Sequence, residues 1–231
     1  NGIQGGDYLA AYTGIPVAEP LPPTVSMLKR TIGRAAVSAG GTITYSLAFR
    51  AGTEGGSAVI TDDLPDQFTD YTYEVSDGLI LTPTGAIDFV WDADVPASGG
   101  VITITGVFTG TENASIENTA TIVADAGSAS SSTGVILDVF PPTSEITEQP
   151  ANPDNNATPT FSFTFTDAAP GGAINSGISN VECRVDGEDF SNCASPHTTA
   201  SLADGEHTFE VRAIDGAGNV QPIPASYTWT I

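Results

Sequence analysis

Val181-Glu-Cys-Arg-Val-Asp-Gly-Glu-Asp-Phe-Ser-Asn-Cys193 reads as β-structure. Polar and apolar side chains alternate along it, and Asp186-Gly187 supplies a residue pair that tolerates the positive φ angles of a tight type I′ turn. The run therefore predicts a β-hairpin. The chain's two cysteines, Cys183 and Cys193, fall on its two arms. Paired, they close a short loop, worth roughly 3 kcal/mol in chain entropy less any strain, and the bond persists in an oxidising compartment. The alternative is two buried free thiols in a reducing one.

Working outward, Leu202-Ala-Asp-Gly-Glu-His-Thr-Phe-Glu-Val-Arg-Ala-Ile-Asp-Gly-Ala-Gly-Asn219 follows. Phe209, Val211 and Ala213 alternate with Thr208, Glu210 and Arg212 between two Gly-containing turns, which predicts a half-buried strand. Glu182-Cys183, Asp186-Gly187, Phe190, Cys193, Ser195-Pro196, the Asp-Gly-x-His-x-Phe-x-Val-Arg-Ala run and Ala217-Gly218-Asn219 together resemble a bacterial Ig-like domain family of secreted and surface proteins. The resemblance covers about 143–231 and ends on a terminal strand at 225–231. It implies a spacer or adhesion module without catalytic chemistry.

Upstream, two-residue alternation becomes regular from Thr24. Strands are expected at 24–32, 42–49, 58–61, 71–75, 87–91, 101–108, 117–123 and 134–140, separated by Gly, Asp and Pro turns. Val37-Ser-Ala-Gly-Gly-Thr-Ile-Thr-Tyr45, Ile60-Thr-Asp-Asp-Leu-Pro65 and Ile116-Glu-Asn-Thr-Ala-Thr-Ile-Val123 resemble the conserved repeat domain of bacterial and archaeal surface proteins. That resemblance covers about 24–138, with Phe49-Arg50-Ala51 standing where the family usually has an Asn after its second strand. Gly127–Thr133, a run of small residues, is read as a loop. Asp138-Val-Phe-Pro-Pro-Thr143 is read as the boundary, since two prolines stop a strand and stiffen the join. Thr158-Pro-Thr-Phe-Ser-Phe-Thr-Phe165 sets Phe161, Phe163 and Phe165 on one face as a core anchor. The expected architecture is all-β: two tandem Ig-like β-sandwiches, 24–140 and 141–231, behind an extended segment at 1–23.

In that segment Leu9, Ala11, Thr13, Ile15 and Val17 share one face of a strand with no local partner, and Pro16, Pro20, Pro22 and Pro23 enforce an extended spacer. It is a tail, the last strand of a preceding module, or a donor strand that completes a sheet in the next copy of the protein.

The charge is one-sided. Six basic against 28 acidic residues among 231 give a net charge of −22, which repels phosphate backbones and anionic lipid, so nucleic acid is excluded as an expected partner. No run approaches the roughly 18 to 20 apolar residues of a transmembrane segment. Without a basic n-region and apolar core at its start, the chain reads as a mature protein or as a segment of a larger one.

Catalytic signatures are missing: no Gly-x-Ser-x-Gly, no His-Glu-x-x-His and no phosphate-binding glycine loop, with only His197 and His207 as histidines. No enzyme, cofactor or transition-metal site is expected. Asp62-Asp63, Asp88, Asp92, Asp94, Asp186 and Asp189 read as turn formers, and calcium is the single ion the acidity would suit. Lys29, the only lysine, lies on the first strand, Asn118 on a late strand, and Asp62 or Asp63 is available between them. In pilin-type Ig modules such a set condenses into an isopeptide bond, which needs a desolvated, neutral amine; otherwise Lys29 snorkels and Asn118 caps a turn. Asn113-Ala-Ser115 and Asn156-Ala-Thr158 are N-glycosylation sequons.

The expected function is a non-catalytic extracellular structural or adhesive protein, a subunit of a surface filament or pilus-like homopolymer assembled head to tail. The alternatives are a glycan- or protein-binding adhesin, with Trp91 as an aromatic platform, or a surface-layer or spacer segment of a larger surface protein. An ancillary piece of an extracellular hydrolase is a further reading.

Overall fold

The computed structural model describes residues 24–84 and 89–231. Its strands are β1 (Ser26–Ile32), β2 (Ala36–Val37), β3 (Thr42–Arg50), β4 (Gly56–Asp63), β5 (Phe68–Val75), β6 (Ile80–Pro83), β7 (Phe89–Val95), β8 (Gly100–Phe108), β9 (Ala114–Ala124), β10 (Gly127–Leu137), β11 (Thr143–Glu148), β12 (Thr160–Thr166), β13 (Ile178–Val185), β14 (Ser191–Asn192), β15 (His197–Thr198), β16 (Glu206–Asp215) and β17 (Ala225–Thr230). One short 3₁₀ turn at Pro170–Gly172 is the only helical element among the described residues. The protein is all-β.

Two sheets, β1-β3-β8-β5 and β2-β10-β9-β4-β7-β6, face each other over the first core. The period of two along each strand puts Tyr45, Leu47 and Phe49, Ile60, Trp91, Ile102 and Ile104, Ile122 and Val135 inside, all at 1% exposure or less. Packing is close enough to require glycine at 106, where an added Cβ would lie 2.6–2.9 Å from the ring of Phe68. A second pair of sheets, β11-β12-β15 and β14-β13-β16-β17, encloses a separate core of Phe161, Phe163, Val181, Cys183, Phe209, Val211 and Trp229. Phe161 stacks on Phe209 with centroids 4.1 Å apart and meets Trp229 edge-on at 5.2 Å. Phe165, expected on the same core face, is 37% exposed at the strand end.

The hairpin that fixed the class is present. Asp186 and Gly187 take φ of 53° and 74°, and Glu188 N–H donates to the Val185 carbonyl. Its return arm is only two residues long, and β13 pairs chiefly with β16 on its other side. Cys183 and Cys193 form the disulfide, with Cα atoms 5.8 Å apart.

The reading of 127–133 fails. Gly127–Thr133 is not a loop but the first half of β10, paired residue for residue with β9 from Gly127↔Ala124 to Leu137↔Ala114. Small hydroxyl residues look like a linker by composition, yet pairing satisfies their backbone groups, and they let β1 lie close alongside: Lys29 N–H donates to Ser131 Oγ at 3.0 Å.

Candidate functional site

Four polar side chains interrupt the inner surface of the first sandwich. Each occupies an inward position in an otherwise apolar alternation: Tyr45 between Ile43 and Leu47 on β3, Asp62 after Ala58 and Ile60 on β4, and Asn118 between Ile116 and Ala120 on β9. Lys29 is the one buried residue of β1. Lys29 is 3% exposed and the other three are 0% exposed. Register explains the convergence. Asp62 pairs with Ala120, one inward step from Asn118, and Lys29 pairs with Leu47, one inward step from Tyr45. The pleat also decides between the two acids, because Asp63 points outward and is exposed. The expectation that Asp62-Asp63 forms a turn is therefore corrected for both: they end β4.

Lys29 Nζ donates to Asp62 Oδ1 and lies 5.0 Å from the centroid of the Tyr45 ring. The other polar atoms of the cluster, Asp62 Oδ2, both amide atoms of Asn118 and the Tyr45 hydroxyl, are buried without a hydrogen-bond partner. Burial pushes the Lys29 amine down to about 8, against the opposing pull of Asp62. Burial likewise pushes the Asp62 carboxyl up, against Lys29, with the Asn118 amide beside it pulling it down. Tyr45 is pushed up by burial and then by the Asp62 charge. Desolvation thus favours the neutral amine and the neutral acid over the ion pair.

A structural ion pair accounts for Lys29 and Asp62 but not for Asn118. A buried amide with neither end bonded costs about 1–3 kcal/mol, and the inward row of β9 is otherwise filled by Ile116, Ala120 and Ile122. Tyr45 was legible only as core, since nothing in an alternating strand marks one aromatic as facing polar company.

The remaining sequence candidates are dispersed. Asn113 Nδ2 donates to Asp138 Oδ1 at 2.7 Å and to the Ile174 carbonyl at 2.8 Å, so a sugar there, which replaces one of the two N–H hydrogens, would break at least one of these bonds. Asn156 is exposed, and its Oδ1 accepts from the Thr158 backbone and hydroxyl. Trp91 and Trp229 are 1% and 0% exposed and offer no platform. His207 Nδ1 meets Asp186 at 2.7 Å, and His197 stacks on Phe209. Asp92 and Asp94, expected in turns, lie instead on the outward face of β7, and with Asp186 and Asp189 they are exposed and outside the acidic group that the described residues bring together. Leu9, Ala11, Thr13, Ile15 and Val17, like Asp88, lie outside the described residues. Among the described residues no helix is long and apolar enough to cross a membrane.

No family model and no curated protein matches the chain, so the two family resemblances rest on the residues quoted for them. Among solved structures, the chain is similar to the C-terminal domain of the Streptococcus pyogenes antigen I/II-family protein AspA, at 9% identity and TM-score 0.41 over 90% of this chain and 100% of that one. It is similar to the C-terminal domain of the Streptococcus agalactiae AgI/II polypeptide BspA, at 9% identity and TM-score 0.41 over 89% and 100%. An I-band fragment of titin aligns at 13% identity and TM-score 0.38 over 90% and 63%. All three likenesses are distant.

Proposed function

We propose that the protein is a non-catalytic structural or adhesive module of the cell exterior, and that its first sandwich is locked by an intramolecular amide bond between Lys29 and Asn118. The observation that supports this is the unpartnered Asn118 amide buried beside a desolvated lysine and carboxyl. Neutral Lys29 Nζ attacks Asn118 Cγ; the Nζ–Cγ bond forms, the Cγ–Nδ2 bond breaks, and ammonia leaves. Asp62, protonated, donates toward Asn118 Oδ1 as charge develops there, then relays the proton lost by the amine to the departing nitrogen. No oxidant or cofactor enters the balance. The bond would staple edge strand β1 of one sheet to β9 of the other, a placement that resists unzipping of the sandwich. With Cys183–Cys193 in the second sandwich, each core then carries one covalent clasp, which suits a protein exposed to oxidising surroundings and tension.

Intact mass tests the bond. The expected value is the sequence mass less one ammonia and less the two hydrogens of the disulfide, with Asp62→Ala regaining the ammonia. A wild-type mass that retains the ammonia would reject the cross-link.

The unlinked pair should also titrate. In Asn118→Ala, Lys29 and Asp62 remain but cannot condense. Lys29 titrates at about 8 in the fold against 10.5 ordinarily, so between those values the unfolded chain holds the extra proton and stability rises with pH. Urea midpoints of that variant should increase from neutral pH to pH about 10, whereas the cross-linked wild type, with no amine to titrate, should lack this rise.

Assembly by strand donation is the finer form of the proposal: Leu9–Val17 of one copy would pair with an open sheet edge of the next and build a head-to-tail fibre. β6, outermost of the described strands in its sheet and carrying Ile80 at 62% exposure, is an edge of that kind. Deleting residues 1–17 should abolish fibres in electron micrographs; unchanged fibres would exclude donation.

A further inference from the structure

A second concentration of charge lies where the first sandwich passes into the second, and the cross-link makes no use of it. Asp138 follows β10, Asp167 follows β12 and Asp215 ends β16; one carboxylate oxygen of each lies within 4.8 Å of the other two. Asp138 and Asp215 are 0% exposed. Asp138 Oδ1 accepts from Asn113 Nδ2 at 2.7 Å and Phe140 N at 3.4 Å, and its Oδ2 from Ser176 N and Oγ at 2.7 Å each. Asp215 Oδ1 accepts from the backbone of Gly218 and Asn219, and its Oδ2 from Asn219 Nδ2 at 2.7 Å. Asp167 differs. Both its oxygens expose less than 1 Å² each, and neither has a hydrogen-bond partner.

Nothing among the described residues neutralises this group. Among the described residues no cation forms an ion pair with any of the three acids; Arg34, from the facing sandwich, donates instead to the Gly216 carbonyl at 3.5 Å. Asp167 is half-buried as a residue, but a carboxylate whose two oxygens are shut off from water beside two more carboxylates is costly unless a proton or a cation joins it. Burial first, and then the charges of Asp138 and Asp215, push the Asp167 carboxyl up, against the pull of the Gly177 and Ser176 backbone groups beside it. Asp215 Oδ2 accepts a single N–H and keeps a lone pair for a metal, and neither oxygen of Asp167 is taken up by a hydrogen bond of ordinary geometry.

We propose that Asp138, Asp167 and Asp215 bind a divalent cation of the calcium class. The donors are all hard oxygens, with no imidazole or thiolate among them, and three carboxylates supply the charge for a doubly charged ion. Their irregular disposition suits calcium, which tolerates variable geometry, better than magnesium, which demands an octahedron. The ion would join the connecting segment, through Asp138, to β12 and β16, so that the junction is firm with calcium and loose without it. The proposal is independent of the Lys29–Asn118 bond.

The test is calorimetric titration of chelator-stripped full-length protein with calcium chloride, paired with thermal melting. Saturable binding of one ion per chain and a raised melting temperature are expected. Asp167→Asn should weaken calcium at least about tenfold and raise the melting temperature of the ion-free chain, because it removes an uncompensated buried charge. Asp94→Asn, an exposed acid of the first sandwich, should bind as wild type does. Absence of saturable binding, a preference for magnesium, or an Asp167→Asn variant that binds calcium with unchanged affinity would each overturn the proposal.

Discussion

Asp62→Ala is expected to yield a folded but uncross-linked protein whose first sandwich melts roughly 20 to 30 °C lower than wild type. The reasoning begins in the unfolded state. A bond between positions 29 and 118 closes a loop long enough that the chain-entropy model assigns it roughly 4–5 kcal/mol, and for a domain of this size each kcal/mol moves the midpoint by about 4–8 °C. Asp62 also pairs with Lys29, and leaving a buried amine without that partner costs about 3–5 kcal/mol if it stays charged, so the mass is read together with the midpoint. Lys29→Ala and Asn118→Ala remove the same covalent bond from its two ends. All three variants should therefore converge on similar midpoints and show the mass of an unreacted chain. A spread of midpoints set by the side chain removed, with an unchanged mass, would mean that the cluster is an ion pair with an ill-satisfied amide.

Phe161→Ala is the other large effect. Its ring is fully buried, stacked on Phe209 and edge-on to Trp229, and removing it should cost about 3–5 kcal/mol. The core it belongs to is small, seven buried residues around the disulfide, so the loss should unfold the second sandwich at moderate temperature, and at lower temperature still once Cys183–Cys193 is reduced. Because the two cores share no residue, the first sandwich should keep its own transition. Calorimetry would show a single displaced peak. One merged transition that shifts as a whole with either Phe161→Ala or Asp62→Ala would refute independent modules.

The sequence by itself determined the class of fold, the hairpin and the two cores. Those depend on near-neighbour information: an alternation of period two, an Asp-Gly pair able to take positive φ, and prolines that stop strands. It also named Lys29, Asp62 or Asp63, and Asn118 as a set, because the only lysine and a late-strand Asn are visible without coordinates. What it could not decide was which acid joins the set, that Tyr45 closes it, that Gly127–Thr133 pairs rather than loops, and that Asp138, Asp167 and Asp215 meet. Each of these is a matter of register between strands far apart in the chain. A shift of one residue turns every side chain to the other face, and nothing local to Asp62 or Asp167 records which partner strand will lie beside it. Tertiary pairing fixed the register and burial then stripped these groups of water, and that loss of water is what the chemistry proposed for Lys29 and Asp167 rests on.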